Sequence, residues 1–310
     1  MDKILVSPSS FGMIDREPLT ILEQDGFEIV ENPFGRKLTE EEVVTLGAEC
    51  IGIVAGVEPL TREVLHKLPN LKCISRVGVG MDSIDKDVAD DLKIVVTNTP
   101  DGPTQAVAEL TLGLTFSLLR GIATAHNNML NRRWLKETGF LLKDKVVGVI
   151  GLGRIGRRVS ESFISLGNNV IGYDLSHDQN WCTHWGVKFE SLEQLLSKAD
   201  IITIHVPYDK KAGPLLSYEQ FNLVKSGAFL VNVSRGSVVD ENALKSALDS
   251  GKLAGAAIDV FENEPYEGEL IDCKNVVLTP HIGSYAREGK LKMEIDAVNN
   301  LIACLKEQGL

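Results

Sequence analysis

The sequence alternates short apolar runs with longer amphipathic stretches along most of its length. The runs are rich in valine and isoleucine and too continuous for a sheet with one face in water, so they predict buried parallel strands with helices on both faces. Repeating strand–helix units of this kind predict an α/β fold. The predicted strands are Lys3–Ser7, Ile51–Ala55, Cys73–Ser75, Ile94–Thr97, Val146–Ile150, Val170–Tyr173, Ile201–Val206, Phe229–Val233, Ala254–Asp259 and Val276–Thr279.

The stretches between these strands carry the signals of helix ends. Ser191 with Gln194 and Ser217 with Gln220 have the spacing of a capping box, and Asp240 is a typical N-cap. A longer apolar helix is predicted from Thr104 to His126. Since a helix that is apolar on most of its faces must be buried, we expect it to span two domains and to form a dimer contact.

Composition narrows the class of protein. The chain has 310 residues, enough for about two domains of ordinary size. Its net charge of -11 disfavours binding to nucleic acid or to an anionic membrane surface. The N-terminus lacks the pattern of a signal peptide, and no apolar run is long enough to predict a transmembrane helix. The five cysteines are scattered without a paired motif, so we expect a cytoplasmic protein.

A glycine motif follows the strand Val146–Ile150. Gly151 permits a tight turn, Gly153 allows a pyrophosphate to approach the backbone, and Gly156 allows helix and strand to pack closely. The N–H groups at the start of the following helix, which is predicted to run through Arg157–Leu166, attract phosphate, and Arg154 and Ile155 within the motif are expected to contact the cofactor. The next strand ends at Asp174, which is placed to accept hydrogen bonds from the ribose hydroxyls. The motif therefore predicts a site for NAD.

At this point the chain resembles the D-isomer-specific 2-hydroxyacid dehydrogenase family, and within it the phosphoglycerate dehydrogenase-like branch. Besides the glycine motif, the resemblance rests on blocks at residues 75–85, 98–100, 106–109, 205–207, 232–236, 259–265 and 280–283. It implies two Rossmann-like, doubly wound parallel-sheet domains with a cleft between them. The substrate domain, which is flavodoxin-like, would comprise residues 1–98 and 287–310. The NAD-binding domain would comprise residues 99–286.

The resemblance also implies a catalytic set of Arg235, Glu264 and His281. Oxidation of a 2-hydroxy acid needs a base for the hydroxyl proton, and a histidine suits this role because its pKa lies near neutrality. Glu264 would orient the His281 ring and favour its protonated form. Arg235 would bind the substrate carboxylate in bidentate fashion.

Further site residues follow from the same resemblance. Val77, Gly78 and Val79 would offer free backbone N–H groups to the substrate carboxylate, and Asp259 would bind the nicotinamide carboxamide. The remaining members of the expected cofactor pocket are Thr104, His205, Val206, Pro207 and Val233.

The predicted function is thus an NAD-dependent D-2-hydroxyacid dehydrogenase that acts as a homodimer in the cytoplasm. Two alternatives stay open: an NAD(H)-sensing binding protein of the corepressor type, and a dehydrogenase for phosphite. The cluster of His177, Cys182 and His184 does not have the spacing of a standard metal site, and we interpret it as an exposed loop without a metal.

Overall fold

The computed structural model describes residues 1–309, and these form two compact units. The first comprises Met1–Pro103 together with the segment that begins at Ser284, and the second comprises Thr104–Gly283. These limits lie a few residues from the predicted domain limits. Whether each unit has its predicted role depends on the residues of the site.

The first unit is a parallel α/β structure. Its sheet has the strand order β2-β1-β3-β4-β5, with every neighbouring pair parallel. The strands are β1 (Lys3–Val6), β2 (Glu28–Glu31), β3 (Cys50–Ala55), β4 (Cys73–Arg76) and β5 (Val95–Asn98), and the helices are α1 (Glu17–Gln24), α2 (Glu40–Gly47), α3 (Arg62–His66), α4 (Lys86–Asp91) and α12 (Arg287–Glu307). Two apolar clusters pack on the sheet, one of them with α12, through residues such as Val298 and Leu301.

The second unit is also built on a parallel sheet, with the order β12-β11-β10-β9-β6-β7-β8. The strands are β6 (Val146–Ile150), β7 (Asn169–Tyr173), β8 (Lys188–Phe189), β9 (Ile201–Ile204), β10 (Ala228–Asn232), β11 (Leu253–Ile258) and β12 (Val276–Leu278). The helices are α5 (Gly102–Arg120, its first two residues in the first unit), α6 (Ile122–Leu130), α7 (Arg154–Ser165), α8 (Gln179–Trp185), α9 (Leu192–Lys198), α10 (Tyr218–Leu223) and α11 (Glu241–Asp249).

The α/β fold with parallel sheets is confirmed, and each predicted strand is present with ends within two residues of its prediction. Ser191 with Gln194 forms the predicted capping box, and Asp240 caps α11 by accepting the N–H of Ala243. β2 and β8 were not predicted from the sequence. Both are short edge strands, and edge strands lack the continuous apolar run of a buried one.

The prediction of one helix from Thr104 to His126 was wrong. The chain turns at Gly121, which has a φ of +58°, so α5 ends at Arg120 and α6 begins at Ile122. Glycine tolerates this left-handed conformation, which interrupts the helical hydrogen bonds. Among residues 1–309 no single helix is long and apolar enough to cross a membrane; only the pair α5 and α6, bent by 65°, reaches that length and composition together.

Candidate active site

The turn between β6 and α7 provides a seat for a phosphate group. Gly151 has a φ of +94°, and a Cβ there would lie 2.6 Å from the carbonyl oxygen of His205. A Cβ on Gly156 would lie 1.8 Å from the carbonyl oxygen of Gly151, so helix and strand meet in close contact. By contrast, a Cβ on Gly153 would meet no atom within 4 Å. The turn is therefore tight where it packs on the protein and open where a pyrophosphate would approach.

Asp174, directly after β7, closes one side of this turn. One carboxylate oxygen accepts the N–H of Leu152 at 2.6 Å, and the other accepts the N–H of Ser176 at 2.9 Å. The carboxylate is thereby fixed beside the glycine turn. This arrangement leaves further lone pairs for ribose hydroxyls, since a carboxylate can accept about four hydrogen bonds.

The segment from His205 to Pro207 follows β9, next to the glycine turn. The His205 N–H donates to the carbonyl of Ile150 at 2.7 Å, and the ring Nε2 lies 2.8 Å from Thr203 Oγ1. Burial lowers the pKa of His205 to about 3, so the ring is neutral. His205 thus contributes its backbone to the turn, while its ring is held within the unit.

Two loops of the second unit meet where β10 and β11 end. A Cβ on Gly236 would lie 1.9 Å from the carbonyl carbon of Phe261, so only glycine permits this approach. Arg235 immediately precedes this contact, and its Nη1 donates to the carbonyl of Ser234 at 2.7 Å. The contact places the Arg235 guanidinium near the loop that carries Glu264, whose pKa it helps to lower.

Glu264 and His281 form the predicted pair. His281 Nδ1 lies 2.8 Å from Glu264 Oε2 and 3.1 Å from Oε1, and the Phe261 N–H donates to Oε1. Burial is the largest influence on the pKa of Glu264 and raises it, but the bonds from His281 and Phe261 and the charge of Arg235 together bring this pKa below its ordinary value. An ionised carboxylate makes Nδ1 the donor, which leaves Nε2 to exchange a proton.

The backbone of His281 is strained. Its φ is +53°, which is rare for a residue with a side chain and is concentrated at functional sites. The His281 N–H donates to the carbonyls of Asp259 at 2.8 Å and Thr279 at 3.0 Å. These bonds hold the ring at the end of β12 in an otherwise unfavourable conformation.

Asp259 is buried, and its carboxylate supports the same turn. It accepts the hydroxyl of Thr279 at 2.6 Å and the N–H groups of Ile282 at 2.9 Å and Gly283 at 2.8 Å. Burial raises the pKa of Asp259, and these three donors oppose that shift. The sequence analysis missed this positioning role and the part of Thr279. The sequence carries one signal for this role: a buried acid is followed by a strand that ends in a hydroxyl residue.

Other predicted cofactor residues lie at the same edge of the sheet or near it. Val206 and Pro207 follow β9, buried Val233 follows β10, and Arg154 and Ile155 form the first turn of α7. Thr104 lies in the first turn of α5.

The loop after β4 in the first unit differs from the expectation of free N–H groups at Val77 and Gly78. The Val77 N–H donates to the carbonyl of Ala55 at 2.9 Å, and the Gly78 N–H donates to Thr99 Oγ1 at 2.7 Å. Within residues 1–309, no hydrogen bond is recorded for the N–H groups of Val79 and Gly80. The open donors of the loop therefore begin later than predicted.

The interpretation of His177–Trp185 as a loop was wrong, because residues 179–185 form α8, which Asp178 caps. His177 stacks on Phe189, with ring centroids 3.9 Å apart. Among the described residues, no group of three or more histidine, cysteine or acidic side chains could hold a metal ion.

A family model described as D-isomer specific 2-hydroxyacid dehydrogenase, NAD binding domain, matches residues 112–283. The chain belongs to this family. Relatives of the phosphoglycerate dehydrogenase type confirm the predicted branch of the family.

One relative is a D-3-phosphoglycerate dehydrogenase of Pongo abelii, 35% identical over 99% of this chain and 57% of its own length. The chain thus spans little more than half the length of such relatives. Among solved structures, TT0316 protein from Thermus thermophilus has a TM-score of 0.89 at 32% identity, covering 98% of this chain and 97% of its own. D-Lactate dehydrogenase from Aquifex aeolicus, complexed with NAD and lactic acid, has a TM-score of 0.85 at 28% identity, covering 99% and 96%.

Proposed function

We propose that this 2-hydroxyacid dehydrogenase interconverts a D-2-hydroxy acid and its 2-keto acid, with NAD as the hydride carrier. The observation that carries this proposal is the hydrogen bond between His281 Nδ1 and Glu264 Oε2 at 2.8 Å, beside the charge of Arg235. An acid–base group, its orienting carboxylate and a cation for a carboxylate are the groups that this chemistry requires.

Each of the three residues His281, Glu264 and Arg235 has its own role in the reaction. His281 Nε2 takes the proton of the substrate hydroxyl in the oxidative direction and returns it to the carbonyl oxygen in the reductive direction. Glu264 stabilises the protonated ring and holds its orientation. Arg235 binds the substrate carboxylate and polarises the carbonyl, and its charge persists at any working pH. When bound, the nicotinamide accepts or donates the hydride at C2.

In the loop after β4, we propose the N–H groups of Val79 and Gly80 as donors to a carboxylate, because those of Val77 and Gly78 are already used within the protein. The bonds to Thr99 and Ala55 then act as supports that hold the loop in shape. A preformed loop reduces the entropy lost when the substrate binds.

The glycine turn fits a dinucleotide, because Gly153 leaves open space over the start of α7. Asp174 favours NAD over NADP, since its carboxylate would repel a 2′-phosphate. Within this pocket, Val206, Pro207 and Val233 supply the apolar contacts. The Asp259 carboxylate already accepts three hydrogen bonds. It therefore has little capacity left to accept one from the nicotinamide carboxamide, which is the role predicted for it.

The protein is further proposed to be a homodimer. Large apolar side chains are more than half exposed in α6 and in the segment that joins it to β6: Ile122, Met129, Leu130, Trp134, Leu135, Phe140 and Leu141. Exposed apolar side chains concentrated in one segment are typical of a protein interface. The five cysteines are unpaired, which agrees with the proposed cytoplasmic location.

The test is NADH oxidation with a panel of small, branched, aromatic and phosphorylated 2-keto acids. With a keto acid that is turned over, His281→Ala should lower kcat by about 10²–10⁴, as expected for loss of a general acid–base. Glu264→Gln should lower kcat less, and Arg235→Lys should mainly raise KM, because lysine cannot form the bidentate contact.

Binding of NADH measured by calorimetry serves as the control, since these three variants leave the glycine turn intact. NADH binding without turnover of any keto acid would contradict the proposal and favour the corepressor-type alternative. Turnover of phosphite in the absence of any keto-acid activity would favour the other alternative.

A further inference from the structure

The strand order of the first unit defines a second place where a ligand would be expected. The order reverses between β1 and β3, because α1 and α2 lead to opposite sides of this point. In open parallel sheets, ligands bind outside the carboxyl ends of the strands at this switch point. Here those ends are Ser7, after β1, and Gly56, after β3.

This switch point is filled by a side chain of the protein itself. Both carboxylate oxygens of Glu58 lie 3.0 Å from the N–H of Gly56, and Oε1 forms a short hydrogen bond with the hydroxyl of Ser7. Glu58 is 2% exposed and Ser7 is 1% exposed. The two donors that an incoming anion would use are therefore occupied by a buried carboxyl group.

The local backbone is shaped around this carboxyl group. A Cβ on Gly56 would lie 3.0 Å from Glu58 Oε2 and 3.4 Å from the Cα of Pro8, so the residue that follows β3 has little room for a side chain. Leu60 anchors the other end of the turn, because its N–H donates to the carbonyl of Ser83 at 2.8 Å. The turn from Gly56 to Leu60 thus holds the Glu58 side chain at the switch point.

Glu58 also adjoins the proposed substrate loop through Arg76. Burial is the largest influence on the pKa of Glu58 and raises it, whereas Ser7, Gly56 and the charge of Arg76 oppose that shift. The Arg76 guanidinium lies beneath the loop, since a Cβ on Gly78 would come within 2.7 Å of its Nη1. Glu58, Arg76 and the loop after β4 therefore lie next to one another, in that order, between the ends of β3 and β4.

From this placement we infer that Glu58 determines substrate specificity. Its side chain occupies the place at the switch point where an anion would bind, which we call the anion seat. This restricts the enzyme to 2-keto acids whose far end carries no phosphate or other second anionic group. The inference rests on the proposed function and names its substrate class. A carboxylate on the loop after β4 places the rest of the substrate near the neighbouring strand ends, because adjacent strands are only about 4.8 Å apart.

Two substitutions separate the charge of Glu58 from its bulk. Glu58→Gln keeps the side chain's size and removes its charge, and Glu58→Ser removes both and opens the seat. The probes are hydroxypyruvate and 3-phosphohydroxypyruvate, which differ only in the phosphate. Glu190→Gln is the matched control, because Glu190 is a buried carboxylate of the second unit that is held by Lys188 and Lys198.

The wild-type enzyme should prefer hydroxypyruvate by kcat/KM. Glu58→Gln should shift the ratio of the two kcat/KM values toward the phosphorylated substrate by about tenfold, the size expected for removing one nearby like charge. Glu58→Ser should shift it further and should bind inorganic phosphate in calorimetry, whereas wild type should not. Glu190→Gln should leave the ratio unchanged.

An unchanged ratio in both Glu58 variants, or a wild-type preference for the phosphorylated substrate, would overturn the inference. If NADH binds but no keto acid of the panel is reduced, the proposed function fails, and calorimetry with inorganic phosphate still decides the role of Glu58. Circular dichroism and thermal unfolding establish that each variant is folded. A folded Glu58→Ser that binds no phosphate would then show that the switch point is not an anion seat.

Discussion

The two units of this protein use the same position in their sheets in opposite ways. In the second unit the order of the strands reverses between β6 and β9, and the turn there leaves open space over Gly153. In the first unit the order reverses between β1 and β3, and Glu58 fills the corresponding place. One switch point is open to a ligand, and the other already holds a carboxyl side chain.

The difference shows that a shared topology supplies a place but not a ligand. Parallel strands bring their carboxyl ends to one edge, where backbone N–H groups lack strand partners. Whether that edge binds a ligand depends on one or two residues after each strand. The glycine turn leaves open space at Gly153, whereas a glutamate two residues after Gly56 turns back and accepts the Gly56 N–H.

The largest effect is expected where the glycine turn of the second unit packs tightly on the start of α7. Gly156→Ala places a methyl group 1.8 Å from the carbonyl oxygen of Gly151, which cannot be relieved by a side-chain rotation. We expect the free energy of unfolding to fall by about 3 kcal/mol or more, as for overpacking against backbone. Urea unfolding measures this directly.

Gly153→Ala is the matched control for that variant. Its methyl group meets no protein atom within 4 Å, and its φ of −73° suits alanine. The free energy of unfolding should change by about 0.5 kcal/mol or less, while calorimetry should show NADH binding weakened by about tenfold or more. If this variant bound NADH as tightly as wild type, the pyrophosphate would not lie over this turn.

The two edges were not equally predictable from the sequence. The strands were predictable because buried parallel strands are continuous apolar runs, and the glycine motif was predictable because its spacing has one mechanical purpose. The contact between Glu58 and Ser7 was not predicted, because the two residues are 51 positions apart and a long-range contact leaves no local pattern. For the same reason the loop after β4 was predicted to offer Val77 and Gly78, since the bond from Gly78 to Thr99 spans 21 residues.

A smaller effect is expected from the carboxylate that borders the open switch point. Asp174→Asn keeps an acceptor for a backbone N–H but removes the charge that would repel a 2′-phosphate. The ratio of kcat/KM for NADPH to that for NADH should rise by about tenfold. Asp178→Asn is the control: it removes an equal charge a few residues away, where Asp178 pairs with Arg157 at 2.9 Å.

In Asp178→Asn the ratio should stay within about twofold of wild type, because this acid serves the cap of α8 and not the ribose. Equal shifts in both variants would mean that general surface charge, and not contact with the ribose, sets the preference for NAD.

The last effect concerns the pH dependence of stability, to which the two edges should contribute with opposite signs. Burial lowers the pKa of His205 in the second unit to about 3, so the native ring stays neutral while the unfolded ring takes a proton below about pH 6.5. Above that pH the neutral His205 ring contributes to the free energy of unfolding. As the pH falls, this contribution is lost by at most about 1.4 kcal/mol per pH unit.

Burial raises the pKa of Glu58 in the first unit, so its contribution is present at low pH and is lost as the pH rises from the ordinary glutamate pKa through the raised one. Urea unfolding of His205→Asn, Glu58→Gln and wild type across about pH 4–8 separates the two. Relative to wild type, His205→Asn should lose less stability toward acid, and Glu58→Gln should lose less as the pH rises. Parallel curves for Glu58→Gln and wild type would show that the carboxyl group at the filled switch point has the same proton affinity folded as unfolded, and that Ser7, Gly56 and Arg76 together compensate fully for its burial.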